Sequence, residues 1–127
     1  MDQTTTIFKA LSDKNRLRVV AALMEYDELC ACQLTALLQV TGATASRHMG
    51  VLVSAGLVHS RKEGRWVNYR LQKNDPTFLP MLDWIEKRWK KSSDAVCDRL
   101  RLKKITALDR EEVCRKQRGE TCCPKNN

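Results

Sequence analysis

The feature that most constrains the fold is a two-faced helix predicted for residues 43–55, with Gly56 in the usual position after a helix C-terminus. At about 100° per residue, one stripe of this helix is apolar and the opposite face is polar with a very small residue in it. The apolar stripe comprises Ala45, Met49, Leu52 and Val53, and the polar face comprises Ser46, Arg47, Gly50 and Ser54. Such a face can approach the groove of a nucleic acid closely and contact phosphates or base edges. The alternative is that it is an ordinary solvent-exposed face.

Two β-strand patterns follow this helix directly, at residues 57–62 and 65–71, and are joined across Glu63 and Gly64. In the second pattern, Val67, Tyr69 and Leu71 are expected to face inward and Arg65, Asn68 and Arg70 to point elsewhere. A basic hairpin that comes directly after a helix is typical of the wing of a DNA-binding domain.

The segments before residue 43 supply the rest of a helix-turn-helix. They predict a helix near residues 4–11, a second over residues 15–24 with Asn15 as its N-cap, and a short third helix that starts between Cys30 and Gln33. A turn at residues 41–42 separates this third helix from the two-faced one. The predicted fold is a winged helix-turn-helix, mainly α with a small β-hairpin, that reads duplex DNA with helix and wing together.

Composition agrees with one basic globular domain. The 127 residues carry 23 Lys and Arg against 15 Asp and Glu, and the net charge of +8 favours an acidic partner. Residues 41–73 hold six of the basic side chains and only one acid, Glu63, so this window is the expected contact surface. No run approaches the roughly 18 apolar residues of a membrane span, and the first residues do not resemble a signal peptide. We therefore expect a cytoplasmic protein with no membrane partner.

The C-terminal half predicts a long helix over residues 78–105, with Pro80 in its first turn. Its apolar surface exceeds what a small winged domain can cover, so we expect it to pair with the N-terminal helix of a second copy in a homodimer. The residues expected at this interface are Ile7, Phe8, Leu11, Leu82, Ile85 and Trp89. The alternative is that Trp84 and Trp89 close the monomer core.

The chain is expected to divide into residues 1–92, for DNA binding and dimerisation, and residues 93–127, a basic, cysteine-containing extension that is partly helical with a mobile tip. Within this extension, Asp109 and Glu112 resemble a capping box at the start of a last helix that carries Cys114 and ends near Gly119.

Cys30 and Cys32 lie where the third helix begins, and there the positive end of the helix dipole favours a thiolate. In a chain that is not secreted, thiols are expected to stay free. Residues two apart on a helix point about 200° away from each other, so one ion that takes both sulfurs must deform the first turn. That deformation would misalign the DNA-reading helix and lower DNA affinity. The alternative is that both cysteines are small buried apolar residues.

Thiolates favour thiophilic ions, and the two histidines, His48 and His59, lie at no metal-ligand spacing. A trivalent metalloid that prefers three sulfurs needs one more thiol, from a distant cysteine or from a small molecule. The possible accessory ligands are Cys97, Cys114, Cys122 and Cys123. Cys97 and Cys114 are single cysteines, which more often pack in a core than bind an ion. The adjacent pair 122–123 either forms a second thiol site or has no functional role.

Four segments resemble the ArsR family of metalloid-responsive repressors: FKALSDKNRLRVVAAL, ELCACQLTALL, ASRHMGVLVSAGLV and GRWVNYRL, which together cover about residues 7–72. The resemblance implies a homodimeric repressor that sits on the operator DNA of an arsenic-resistance operon and is released by As(III) or Sb(III). It places the metalloid ligands at Cys30 and Cys32. Thr35 stands where the arsenic-responsive branch has its third cysteine.

The resemblance also assigns the DNA contacts. The family's DNA-reading helix maps onto Thr44, Ser46, Arg47 and His48, and its wing onto Arg61, Lys62 and Arg65. Trp66 is expected to pack at the base of the wing. Cadmium- and lead-sensing members carry additional N-terminal cysteines that this sequence does not have. The family's zinc site on the long helix needs histidine, and Asp83 and Glu86 have none beside them.

Three other functions compete with a metalloid sensor. A redox switch would use the same cysteines through oxidation. A constitutive DNA-binding protein would leave them inert. A thiol-dependent reductase needs a cysteine in an anion-cradling loop, and no such loop follows any cysteine here, so we expect no enzymatic activity.

Overall fold

The computed structural model describes residues 2–117, and over that range the chain forms seven helices and a three-stranded antiparallel sheet. The elements, in chain order, are α1 (Gln3–Leu11), α2 (Lys14–Glu25), β1 (Leu29–Cys30), α3 (Ala31–Leu38), α4 (Gly42–Ser54), β2 (Val58–Glu63), β3 (Trp66–Leu71), α5 (Leu79–Trp89), α6 (Ser93–Thr106) and α7 (Arg110–Gln117). Helices α3 and α4 with the β2–β3 hairpin make the predicted winged helix-turn-helix. Within residues 2–117, no helix is both long and apolar enough to cross a bilayer.

Side-chain caps determine where the helices begin. The Asp13 carboxylate accepts hydrogen bonds from the backbone N–H groups of Asn15 and Arg16 at 2.8 and 3.2 Å, so α2 starts at Lys14. The prediction that Asn15 is this N-cap is wrong, because an acidic side chain two residues earlier already holds the free N–H groups. Thr41 caps α4 in the same way, and Gly56 adopts a positive φ of 80° after it.

The sheet has the order β1-β3-β2. The predicted hairpin is present, with Val58 opposite Leu71 and Glu63 opposite Trp66. Strand β1 was not predicted, because two residues are too few for an alternating pattern. It pairs Cys30 with Asn68 and so fixes the start of α3 to β3, the central strand of the sheet.

The core lies between α2, α3, α4 and the sheet, where Leu23, Leu34, Leu37, Leu52 and Leu57 are almost fully buried. Leu102, Ile105 and Val113, from α6 and α7, belong to the same buried cluster. Over its described part, residues 93–117, the expected extension is therefore packed onto the domain.

The single long helix predicted for residues 78–105 is in fact two helices, α5 and α6. The Ser92 hydroxyl accepts from the backbone N–H of Ala95 at 3.1 Å and starts α6 as a new helix. The sequence prediction missed this break because the apolar spacing continues across it. Pro80 lies in the first turn of α5, as predicted.

An ion pair fastens α6 to α2. The Arg18 guanidinium binds the Asp98 carboxylate through two hydrogen bonds, of 2.9 and 3.0 Å, and both side chains are largely buried. Arg18 also donates to the Leu37 carbonyl at 3.0 Å, near the C-terminal end of α3. Because buried charges need such partners, this pair determines where α6 lies.

Candidate nucleic-acid interface and thiol site

Helix α4 presents the polar face that the sequence predicted. Ser46, Arg47 and Gly50 are exposed and Thr44 is partly exposed, whereas Ala45, Met49 and Leu52 are buried on the other side. The helix is therefore oriented with its small, polar face outward, as insertion into a DNA groove requires.

His48 does not lie on that face. Its side chain is only 9% exposed, and its Nδ1 lies 3.1 Å from Nη1 of Arg16. Arg16 in turn donates from Nε to the Ala10 carbonyl at 2.6 Å, so the His48–Arg16 contact links α4 to α2 and α1. This corrects the prediction that His48 contacts DNA: on a helix it lies 60° from Ala45 and 40° from Leu52, both buried.

The predicted wing residues Arg61, Lys62 and Arg65 are all exposed. Two acidic residues hold the arginines. Glu28 accepts from Arg61 at 2.7 and 3.2 Å, and Glu111 of α7 accepts from Arg65 at 2.6 Å. The hydrogen bond from Arg61 lowers the pKa of the Glu28 carboxyl, and the same bond raises the pKa of Arg61. Sequence reasoning missed both acids, which lie 33 and 46 residues away from their partners.

Helix α7 covers one side of the wing. Its Arg110 donates to the Asn68 side-chain oxygen at 3.3 Å and to Glu63 at 3.4 Å, and Asn68 also donates to Glu63 at 3.1 Å. Asn68 is 2% exposed, so the expectation that it points away from the interior is wrong. The Trp66 ring packs against two guanidinium groups, with those of Arg65 and Arg110 at 4.8 and 4.9 Å from its centroid.

The cysteines are arranged differently from the expected free pair. Cys32 of α3 forms a disulfide with Cys114 of α7, and their Cα atoms are 5.1 Å apart. Cys30 is a free thiol, 1% exposed at the N-cap of α3, and its backbone N–H donates to the Gln33 side chain at 2.9 Å. The expectation that all thiols are free is therefore wrong for Cys32 and Cys114, because the packing of α7 on α3 brings them into contact.

The remaining thiol candidates lie apart from this pair or outside the described residues. Cys97 is free and exposed on α6, and residues 122–123 lie beyond residue 117. Thr35, at the position of the family's third cysteine, is buried and donates to the Ala31 carbonyl at 2.7 Å. Between residues 2 and 117, no three His, Cys, Asp or Glu side chains lie together as a ready-made metal site.

A cavity of about 200 Å³ adjoins the disulfide. It is lined by Ala31, Cys32, Arg65, Trp66, Val67 and Cys114. The lining comes from α3, the hairpin and α7, so the Cys32–Cys114 disulfide and the wing share one cleft.

The predicted dimer residues fall into two groups. Leu82 and Ile85 are buried in the subunit itself, 6% and 7% exposed, because they face α5's own domain. Ile7, Leu11 and Trp89 are partly buried and Phe8 is 64% exposed. The large exposed apolar side chains are Phe8, Leu79, Trp84, Val96 and Leu100, so Trp84 does not close the monomer core.

Residues 13–60 match the model of the bacterial regulatory protein family arsR. The arsenical resistance operon repressor of Escherichia coli K12 is 37% identical over 90 residues, which cover 71% of this chain and 75% of that protein. The chain belongs to the ArsR family.

A second curated relative and two solved structures agree with this ArsR membership. The cadmium resistance transcriptional regulatory protein of Listeria innocua is 45% identical over 62 residues, 49% of this chain and 52% of that protein. HlyU from Vibrio cholerae superposes with a TM-score of 0.62 at 25% identity, over 70% of this chain and 94% of HlyU. The antimony-specific repressor AntR gives a TM-score of 0.55 at 26% identity, over 69% and 81%.

Membership of the ArsR family settles two predictions. The chain is a DNA-binding transcriptional repressor, and it is not an enzyme. The winged helix-turn-helix fold is confirmed by its likeness to the solved ArsR-type regulators. The matched family segment ends at residue 60, before β3 and α7.

Proposed function

We propose that this ArsR-family protein is a metal-responsive repressor that binds the operator of an arsenic-resistance operon and leaves it when As(III) or Sb(III) binds its thiolates. The observation that carries the proposal is the Cys30-x-Cys32 motif at the start of α3, the helix that supports the DNA-reading helix α4. Relatives that are arsenic, cadmium and antimony regulators support a metal or metalloid inducer.

The DNA contacts combine the exposed face of α4 with the wing. Thr44, Ser46 and Arg47 meet bases and phosphates, and Arg61, Lys62 and Arg65 meet the backbone beside them. His48 acts indirectly, because its contact with Arg16 orients α4 against the rest of the domain.

Release begins at the start of α3. Soft thiolates fit a thiophilic trivalent ion, and Cys30 and Cys32 are the ligands. Cys30 is buried at the N-cap and Cys32 faces α7, so a metalloid that takes both sulfurs must distort the first turn of α3. That distortion reaches α4 through the packing of the two helices and lowers the affinity for DNA.

A second copy completes the repressor. Exposed Phe8 and Trp84, on α1 and α5, provide an apolar surface for a homodimer, together with Ile7, Leu11 and Trp89. A two-fold dimer presents two copies of α4 to a palindromic site. Residues 1–92 supply DNA binding and dimerisation and residues 93–127 add the α6–α7 region, in a protein that works in the cytoplasm.

Thiol oxidation is the second candidate signal, and the Cys32–Cys114 disulfide favours it. Peroxide or another oxidant would close this bond, and a thiol reductant would open it. A cadmium signal is a further possibility within the family, in line with the Listeria relative.

The decisive experiment is fluorescence anisotropy of a labelled duplex from the chain's own promoter, kept under a phosphine reductant and titrated with arsenite. We expect anisotropy to fall with arsenite and antimonite and to stay constant with zinc. A fall with cadmium instead would assign the cadmium branch. Indifference to every ion, together with a fall on adding peroxide after the phosphine has been removed, would assign the redox function.

Two variants test the ligands. Cys30→Ser and Cys32→Ser should bind DNA but lose the arsenite response, whereas Cys97→Ser, which removes an exposed thiol on α6, should respond like the parent. An intact response in both motif variants would contradict the proposal.

A further inference from the structure

Helix α7 contacts both the thiol motif and the wing. We propose that Cys32 and Cys114 form an inter-helix thiol switch, and that closing it holds α7 on the wing and withdraws Arg65 from DNA. This inference rests on the proposed function, because it describes how a signal at the same cysteines reaches the DNA-binding surface.

The first observation is the attachment of α7 to α3. Cys114 is joined to Cys32, and the neighbouring Val113 is buried in the main core cluster. Opening the disulfide removes the covalent part of this attachment and leaves only the packing of Val113 and Cys114, on a helix of eight residues. So short a helix has little stability of its own, and its position depends on such contacts.

The second observation is the attachment of α7 to the wing. Glu111 pairs with Arg65, and Arg110 contacts Asn68, Glu63 and the Trp66 ring. Glu111 and Arg110 precede Cys114 by three and four positions, so the helix places all three on one side. The link to α3 and the contacts with the wing therefore form or separate together.

The consequence for DNA is electrostatic. The Glu111 carboxylate neutralises the Arg65 guanidinium and stands close to where a phosphate would approach the wing. With the switch closed, phosphate must compete with this carboxylate. With the switch open, Arg65 is available and the acid can move away.

Two reactions close the switch, and each balances. Peroxide takes two electrons and two protons from the two thiols, leaving a disulfide and two waters. Arsenite keeps its oxidation state: each thiol replaces one hydroxide on arsenic, an As–S bond forms as an As–O bond breaks, and the thiol proton leaves in water. Cys114 is thereby a sulfur ligand additional to the Cys30-x-Cys32 motif, in the place that Thr35 cannot fill.

A matched pair of variants tests the link to the wing. Glu111→Gln and Glu112→Gln remove the same charge from neighbouring positions of α7, but only Glu111 pairs with Arg65. In the oxidised full-length protein, we expect Glu111→Gln to bind operator DNA about 2- to 5-fold more tightly than Glu112→Gln, the range for an exposed ion pair. Equal affinities would overturn the inference.

The same pair in a Cys114→Ser background isolates the switch. With the link removed, Glu111→Gln and Glu112→Gln should bind DNA equally. The difference in affinity seen with Cys114 present then measures the coupling between Cys114 and Glu111. Cys114→Ser alone should keep its DNA affinity after treatment with peroxide. The parent and Cys97→Ser should lose at least about 5-fold in affinity, the low end of allosteric coupling. A Cys114→Ser protein that still loses affinity with peroxide would refute the switch.

These outcomes are distinct from those that test the proposed function. Failure to bind promoter DNA in any state would refute the repressor proposal. Binding that arsenite releases as well from Cys114→Ser as from the parent would keep the repressor and its Cys30-x-Cys32 site and would remove Cys114 from the mechanism.

Discussion

The two parts of the DNA-binding surface differ in how their arginines are held. On α4, Arg47 is exposed and makes no ion pair with any residue that the structure describes. On the wing, Arg61 and Arg65 are each bound by an acid from a distant part of the chain, Glu28 and Glu111. On the proposed DNA contacts, α4 would meet DNA with an unpaired arginine, whereas Arg61 and Arg65 of the wing would exchange Glu28 and Glu111 for phosphate, which is where a signal could change the affinity.

The largest expected effect is at the unpaired arginine. Arg47→Ala should weaken operator binding about 10- to 100-fold, because a side chain that reaches bases or phosphates contributes on the order of 1–3 kcal/mol. Lys104→Ala, which removes the same charge from the exposed surface of α6, is the control and should change little. Similar losses in both variants would mean that only net charge matters, and anisotropy titrations would show it.

The next effect separates Lys62 from Arg61. Lys62 is exposed and has no ion pair among the described residues, so Lys62→Ala should reduce the slope of log affinity against log salt by about one. Arg61→Ala should reduce this slope by less, since part of its charge is already matched by Glu28. Equal slopes, measured between low and physiological salt, would show that the Glu28 pair does not restrain the wing.

Releasing Arg61 from Glu28 should increase the affinity for DNA by a modest factor. Glu28→Gln removes the nearer of the two carboxylates beside the guanidinium and leaves Glu63 at 3.9 Å, and we expect DNA binding about 2- to 5-fold tighter, the range for an exposed ion pair. Glu25→Gln removes the same charge from an exposed position of α2 and should give a smaller gain. A larger increase in DNA affinity for Glu25→Gln would show that the effect comes from the net charge of the protein and not from the Arg61–Glu28 pair.

The smallest expected effect is on the pH dependence of the free energy of unfolding. The pKa of Glu28 is lowered below its ordinary value of 4.5 by the hydrogen bond from Arg61. A lowered carboxyl pKa contributes stability that is present above pH 4.5 and is lost as the pH falls through the lowered value. Urea titrations should find Glu28→Gln less stable than the parent at pH 7, with a difference that narrows as the pH falls below 4.5, and a constant difference would rule out this origin.

The sequence predicted the elements that rest on local patterns. The polar face of α4 and the hairpin follow from spacing that one segment carries alone, and they are present as predicted. Strand β1, the Asn68 contacts and the acids on the wing were missed, because each depends on where α7 and the start of α3 fold back. His48 was misplaced for a related reason: a polar side chain at the edge of an apolar stripe is buried only if a partner such as Arg16 meets it.

The thiol site shows the same limit. Cys114 was one of several possible accessory ligands by sequence, and spacing could not distinguish it from Cys97. Only the packing of α7 on α3 does so, since it brings Cys114 to Cys32 and leaves Cys97 exposed.

The two ends of α3 are held by different kinds of contact. At its C-terminal end, the Leu37 carbonyl accepts from Arg18 at 3.0 Å and from Arg101 at 3.4 Å, and the buried Asp98 carboxylate fixes Arg18 in place. At its N-terminal end stand the two cysteines. Chemistry at the sulfurs therefore acts on the end of α3 opposite this buried ionic anchor, where the Cys30–Asn68 strand pairing and the Cys32–Cys114 link are the restraints that a bound ion would have to disturb.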